Sequence, residues 1–473
     1  MAVAREYYDT NNTPFSYGNP YSPSAETPRH YFQPMTFGLG VILSLVRINP
    51  GLLFLSTGVL MGILAIRTTI ALFEFFHPIA LLRDLVLLLI FVWGGGLLSL
   101  GGLCFSYFHI HNSTEWLMFD PSGGWWFLNL GRNFIYPLES AYHLLFFLGI
   151  LFWGRKQWHL ALAAGFLLSI SHPFTGIQFL VISLVWLIIE KTIQKEEPPL
   201  EVIFLTFLLT LSHIGYYLFY LNRDPEHHSV MEAWKINFSM SGITFCLNLF
   251  PLLFILWWGL RHKQYPLSWI QSPMHRLLLV SFAITLLLVF HDRFMTPIQP
   301  LHFDRGYLWV FAFLIAMPGW KSIFKTLSKK STLTPIFVLI TFLFLSDNFS
   351  WMTSHINKPT GFYETPAQKE VFDWLDKNST PQDLLVSEDQ IMCYLAPTYS
   401  SVRTWYAFWW FTPNGTQNLL DQKKFFESGE TPSLWKGRSI LLLQPKRTGP
   451  LKFKTKKLKL FDNADYRIWQ IQP

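Results

Sequence analysis

Charge is scarce in this chain. Asp, Glu, Lys and Arg make up 14% of its 473 residues, where ordinary soluble domains carry about 25%. A wholly water-exposed globule is therefore excluded. Cysteine is scarcer still, at 3 residues, so neither a disulfide framework nor a metal–thiolate site is implied. Cys104 and Cys246 lie in apolar segments and read as packing residues. The opening stretch is polar and rich in Asn, Pro and Tyr, which argues against a cleavable signal peptide at Met1. There is no Gly-rich phosphate loop, nucleophile elbow, zinc spacing, internal repeat or low-complexity tract.

Apolar and aromatic residues take the place of charge. Hydrophobic residues reach 51% and aromatics 18%, with 45 Phe and 20 Trp. Runs such as Leu85–Trp93 and Leu277–Phe290 suit the hydrocarbon thickness of a bilayer. Apolar segments fall near 34–48, 51–74, 85–104, 138–153, 158–171, 174–189, 200–221, 240–260, 276–291, 307–320 and 333–350. The expected fold is mainly α: a polytopic helical membrane domain of about ten spans, followed by a small α/β domain. Residues 1–50 form a partial outer loop and interfacial helix, 51–350 the transmembrane domain and 351–473 the polar domain.

The formal charge of +7 reads as topology rather than as a nucleic-acid surface. Arg155 with Lys156, Lys191 with Lys195, Arg261 with Lys263, Arg276, and Lys321, Lys325, Lys329 and Lys330 fall on alternate loops. The positive-inside rule makes those loops cytoplasmic and places the tail outside. In the tail, 366–377 has helical periodicity with Thr365 as N-cap. A strand at Leu384–Ser387, a helix near Gln390–Leu395 and a strand near Val402–Phe408 follow. A helix at Thr416–Glu427 and strands at Ser439–Gln444 and Tyr466–Ile471 complete a partly parallel sheet. Asn112, Asn378 and Asn414 begin glycosylation sequons, a pattern that chance also supplies.

The outer loop 105–137 holds His109, His111, Glu115, Asp120, Trp116, Trp125 and Trp126. Its carboxylates suit a general base for an acceptor hydroxyl, and its Trp faces suit sugar rings. An interfacial loop anchored by Trp is the plainer explanation. The His pair has no third ligand at a diagnostic spacing, so no metal site is assigned. Glu139 and His143 share one helix face, and an ionisable pair this close to lipid should face protein or a water-filled cavity. Pro173 frees backbone groups beside His172, which suits a proton carrier, a donor to a substrate phosphate, or a simple helix cap. The densest cluster is His291-Asp292-Arg293 with His302, Asp304 and Arg305. Its Arg and His residues suit a lipid-linked phosphate, with Asp292 and Asp304 holding the Arg side chains. A structural ion-pair network is the alternative. The aromatic run from Trp405 to Phe411 fits carbohydrate contact or core.

At this point the chain resembles the GT-C superfamily of integral-membrane glycosyltransferases, which use polyprenyl-phosphate-linked sugars. The resemblance rests on the order of several stretches. They are Asn19-Pro-Tyr21 to Gln33-Pro34, Leu39-Gly40, the helix start at His143 and His172-Pro-Phe. Gln299-Pro-Leu-His-Phe-Asp-Arg-Gly-Tyr307, Phe372-Asp-Trp-Leu375, Tyr394-Leu-Ala-Pro-Thr-Tyr399 and Thr412-Pro-Asn414 complete the series. It implies an inverting hexosyl transfer on the outer face of a bacterial inner membrane. The donor would be a lipid-linked sugar and the acceptor a glycan, lipid or protein, with membrane lipid around the chain and no nucleic acid. Carried over by position, Arg293, His302 and Arg305 would hold the lipid phosphate, and Glu115 or Asp120 would be the second-loop acid. Some members need a divalent metal held by acids and others do not; no cofactor is assigned. Members begin with a transmembrane helix and a first-loop catalytic acid. This chain resembles one without that helix, and Glu6 and Asp9 are its acids before Asn19. A non-catalytic relative with an assembly role, or a carrier of a lipid-linked solute, is the competing expectation.

Overall fold

The computed structural model describes the chain apart from residues 47, 109–128, 196, 235–238, 328–333, 358–363, 450–456 and 472–473. The chain forms two compact units. One comprises Met1–Leu55, Gly215–Lys235 and Thr360–Pro473; the other comprises Ser56–Ile214 and Ile236–Pro359.

Mainly helical structure with several membrane-capable helices is what the apolar runs produce. Pro50–Phe76, Pro137–Gly154, Pro173–Gln194, Leu200–Arg223 and Gly242–Arg261 are long and apolar enough to cross a bilayer. The pairs Leu82–Trp93 with Leu98–Tyr107 and Tyr307–Ile315 with Met317–Thr326 are bent by 72° and 57°, giving five to seven spans among the described residues. Trp158–Ser171 and Pro273–Val289 are shorter apolar helices. The finer count of about ten is not reached by length and composition, because two runs break and others stop short of the roughly 20 residues a span needs.

The 72° break has a local cause. Gly94, Gly95 and Gly96 interrupt the run, and Gly96 lies at φ +84°. A Cβ on Gly95 would fall 1.5 Å from Asn129 Oδ1, and one on Gly96 would fall 2.6 Å from Asn248 Cα. Several of the backbone groups freed by the break find partners on other elements. Leu97 N–H donates to Leu247 O at 2.8 Å, a carbonyl left open because Pro251, four residues on, has no N–H. Gly95 N–H donates to Phe344 O at 3.1 Å, and Asn348 Nδ2 donates to Trp93 O. The new helix start at Leu98 is capped by Asp347, whose carboxylate accepts from Leu98 N at 2.9 Å and Ser99 N at 2.6 Å. Arg132 donates to Asn348 Oδ1 at 2.6 Å and sets a positive charge near Asp347. Non-helical backbone among apolar helices is tolerated only with this kind of satisfaction.

In the other unit, β1 (Asp383–Ser387), β2 (Arg403–Thr404), β3 (Ser439–Pro445), β4 (Lys457–Asp462) and β5 (Tyr466–Ile471) form one sheet of order β2-β1-β3-β5-β4. β1 runs parallel to β2 and β3, while β5 runs antiparallel to β3 and β4. Thr365 caps Pro366–Asn378 through a capping box with Gln368. Two details correct the sequence expectation. The strand near Val402–Phe408 shrinks to Arg403–Thr404, because Trp405 and Tyr406 turn into a core with Phe425 and Trp435. The sequence expectation omits the strand Lys457–Asp462, although Lys457-Leu458-Lys459-Leu460 alternates as an edge strand does.

Residues from the beginning of the chain belong to this same unit. The helix Ala2–Asp9 lies against Pro34–Val46, and Gly40 permits the approach, since a Cβ there would sit 2.7 Å from Tyr7 Cβ. Arg5 donates to Asp376 at 2.6 Å and Glu6 accepts from Arg403 Nη1 at 2.6 Å, with side-chain exposures of 8% for Arg403 and 11% for Glu6.

Three stability effects follow. Glu6→Gln takes from the buried Arg403 its hydrogen-bonded carboxylate, at a cost of about 3 kcal/mol. Thermal unfolding in detergent reads it as a lowered midpoint for this unit. Gly96→Ala, with a positive φ and a backbone clash, costs about 2 kcal/mol or more. Gly38→Ala, with open space around its Cα inside a helix, stabilises by about 0.5–1 kcal/mol.

Candidate functional site

The membrane-type unit brings together six of the residues singled out by sequence, from three separate stretches. Glu139 and His143 stand one turn apart on Pro137–Gly154. His172 is the N-cap of Pro173–Gln194, its Nδ1 accepting from Thr175 N at 3.1 Å. His302 lies on the 3₁₀ turn Pro300–Phe303, and Asp304 and Arg305 follow it just before Tyr307–Ile315.

Arg305 is the hub. Its side chain is only 2% exposed, and its guanidinium forms an ion pair with Glu139 Oε2 through Nη1. Nη2 lies 3.0 Å from His172 Nε2 and 2.9 Å from His302 Nδ1, and Nε donates to His302 O at 3.1 Å. Contact with a donor gives His302 the Nε2–H tautomer. His172 is less settled. A neutral imidazole has one lone pair, and both the Thr175 amide and the Arg305 guanidinium face it. Rings close the site: Tyr142 lies 4.6 Å from His172, and Phe174 lies 4.9 Å from His302.

Asp304 is fully buried and does not hold Arg305. Its Oδ1 accepts from Leu308 N at 3.2 Å, capping the helix that follows. Burial pushes its carboxyl up to about 8, against the backbone hydrogen bonds that favour the carboxylate. Asp292 and Arg293 sit apart on the turn His291–Arg293. Asp292 is largely buried, 3.9 Å from the Arg293 Nε, while the Arg293 side chain is 62% exposed. Of the cations assigned to a phosphate, Arg293 is therefore the accessible one and Arg305 the committed one.

Asp9 lies in the other unit, at the end of Ala2–Asp9, where it accepts from Arg5 Nε at 2.7 Å. Glu115 and Asp120, with His109 and His111, lie outside the described residues. Among the described residues no group of His, Cys, Asp and Glu is arranged to hold a metal ion.

Sequence reading passed over Asn133, whose Nδ2 donates to Arg305 O at 3.2 Å, and the Arg132–Asp347 charges of the helix break. The signal was present in part: Asp347 is a carboxylate in an otherwise apolar run, and three consecutive glycines mark the break. Asn133 carried none.

No family model matches the chain, and no curated protein matches it.

The raised carboxyl of Asp304 fixes a pH dependence. Its protonated form is favoured in the fold, so its contribution is full below the unfolded value of about 3.9. That contribution is lost as pH rises toward and through about 8. Asp304→Asn, which does not titrate, should gain stability relative to the wild type across that window. Thermal midpoints of both forms at a series of pH values measure it.

Proposed function

We propose that the protein is a membrane glycosyltransferase that moves a hexose from a polyprenyl-phosphate donor to an acceptor hydroxyl on the extracytoplasmic face of a bacterial inner membrane. The observation that carries this reading is the convergence of Glu139, His172, His302 and Arg305 among apolar helices. Ionisable side chains in such surroundings are costly and mark sites of chemistry or passage by default. An anionic headgroup would meet the exposed Arg293 guanidinium, whose N–H groups can match two phosphate oxygens. Charge grows on the phosphate as the bond to the sugar breaks, so fixed cations lower that barrier. An acidic side chain takes the proton of the acceptor hydroxyl; Glu115 and Asp120 fill that role in this reading.

A second reading has one observation in its favour. Asp347 and Arg132 lie buried beside a broken apolar helix, and discontinuous helices line solute sites in many carriers. Under that reading labelled lipid-linked sugar crosses a proteoliposome bilayer with no acceptor modified.

Full-length protein in lipid nanodiscs, given polyprenyl-phosphate hexoses and a panel of envelope acceptors, tests the proposal. Turnover is expected in the wild type. Arg293→Ala should raise the apparent KM for the donor about tenfold or more through loss of a charged contact, with an unchanged thermal midpoint. Arg305→Ala should abolish transfer. Absence of transfer from every donor by folded protein, or full activity in Arg305→Ala, would sink the assignment.

A further inference from the structure

Arg305 lies at φ +43°, in the left-handed region that residues with a β-carbon rarely adopt, and Gly306 follows at +82°. Such backbone costs about 1–3 kcal/mol and persists only where the surroundings over-determine it. Here they act largely through one atom, the Arg305 carbonyl oxygen. It accepts from Asn133 Nδ2 at 3.2 Å and lies 2.8 Å from His143 Nε2, which donates to it when that nitrogen carries the hydrogen.

Each donor is itself fixed. The second hydrogen of the Asn133 amide goes to Asn129 O at 2.8 Å. Both ring nitrogens of His143 face carbonyl oxygens, Nδ1 at 2.7 Å from Glu139 O and Nε2 at 2.8 Å from Arg305 O, so the neutral ring donates to one of them and the imidazolium to both; the ring stacks on Tyr307 at 4.9 Å. On the other side Gly306 packs so closely on Leu130 that a Cβ would come within 2.6 Å of the Leu130 nitrogen. The segment is thus clamped between Pro137–Gly154 and the short turn Leu130–Asn133. Backbone conformation sets the direction of the Cα–Cβ bond, so holding this peptide also sets where the guanidinium points.

We propose that His143 and Asn133 are positioning residues that pin the Arg305 carbonyl and so hold its backbone in the left-handed conformation that aims the guanidinium at Glu139, His172 and His302. In this arrangement His143 acts through Arg305. The functional weight of this rests on reading that cluster as the donor-phosphate site, whereas the geometry can be tested with no donor present.

The test is nitrogen NMR on the full chain in nanodiscs, with labelled His and Arg. At neutral pH the His143 Nε2 should carry a hydrogen, alone or together with Nδ1. The Arg305 guanidinium signals, identified by their loss in Arg305→Lys, should be shifted away from those of exposed arginines. His143→Phe keeps the ring but removes the donor, and should collapse those signals into the exposed group. His143→Gln, which restores an N–H, should return them. If His143→Phe fails to fold, Asn133→Leu is read in the same way, and the wild-type Nε2 signal decides by itself. An unprotonated Nε2, or Arg305 signals unmoved by loss of the donor, overturns the proposal. Transfer assays judge the phosphate-site reading separately, because none of these signals depends on turnover.

Discussion

A guanidinium with almost no exposure must be neutralised where it sits, and the region around Arg305 is arranged to do that. Glu139 supplies the countercharge, and two imidazoles and a carbonyl take up other N–H bonds. A buried ion pair is weak evidence for stability, because desolvating two charges offsets much of their attraction. Its cost makes sense where the charges serve something else. The strained backbone at Arg305 and the glycine pressed on Leu130 both converge on this one residue.

A similar economy governs the broken helix. Three glycines let the backbone turn, and every freed group named above is met by another element: Leu247 through the gap left by Pro251, Phe344 through its carbonyl, Asp347 through its carboxylate. Arg132 then balances Asp347. Removing any one of these polar groups would leave a polar partner in apolar surroundings, where no water replaces it.

The helices were legible because apolar runs of this length have few other uses. The run at 85–104 was placed correctly, yet its break was not, since continuity of hydropathy hides a change of direction. Thr365 and its box with Gln368 were readable from local chemistry, and so were β1, β3 and β5, which are rich in Leu and Ile. β4 was not read, although its Lys-Leu-Lys-Leu start alternates, because so short a lysine-rich run also fits a solvated loop. For the site, residue types indicated which side chains are costly near lipid, and Glu139, His143, His172, His302 and Arg305 do meet. What they do to one another needed coordinates. Glu139 binds Arg305 rather than serving only as a helix neighbour of His143, and Asp304 caps a helix rather than holding an arginine. The grouping of residues 1–55 with the C-terminal sheet brings together partners from opposite ends of the chain, such as Glu6 and Arg403, and no local pattern reveals these.

The most direct measurement is a double-mutant cycle on the central pair: unfolding free energies of the wild type, Glu139→Gln, Arg305→Met and the double variant, in the same detergent. Each single change leaves one buried charge without its partner, at about 3–5 kcal/mol, while the double change removes both charges. The account predicts a double variant markedly more stable than the sum of the single losses allows. Strictly additive losses would mean that Glu139 and Arg305 do not depend on each other, and would contradict the claim that the site is organised around their pairing.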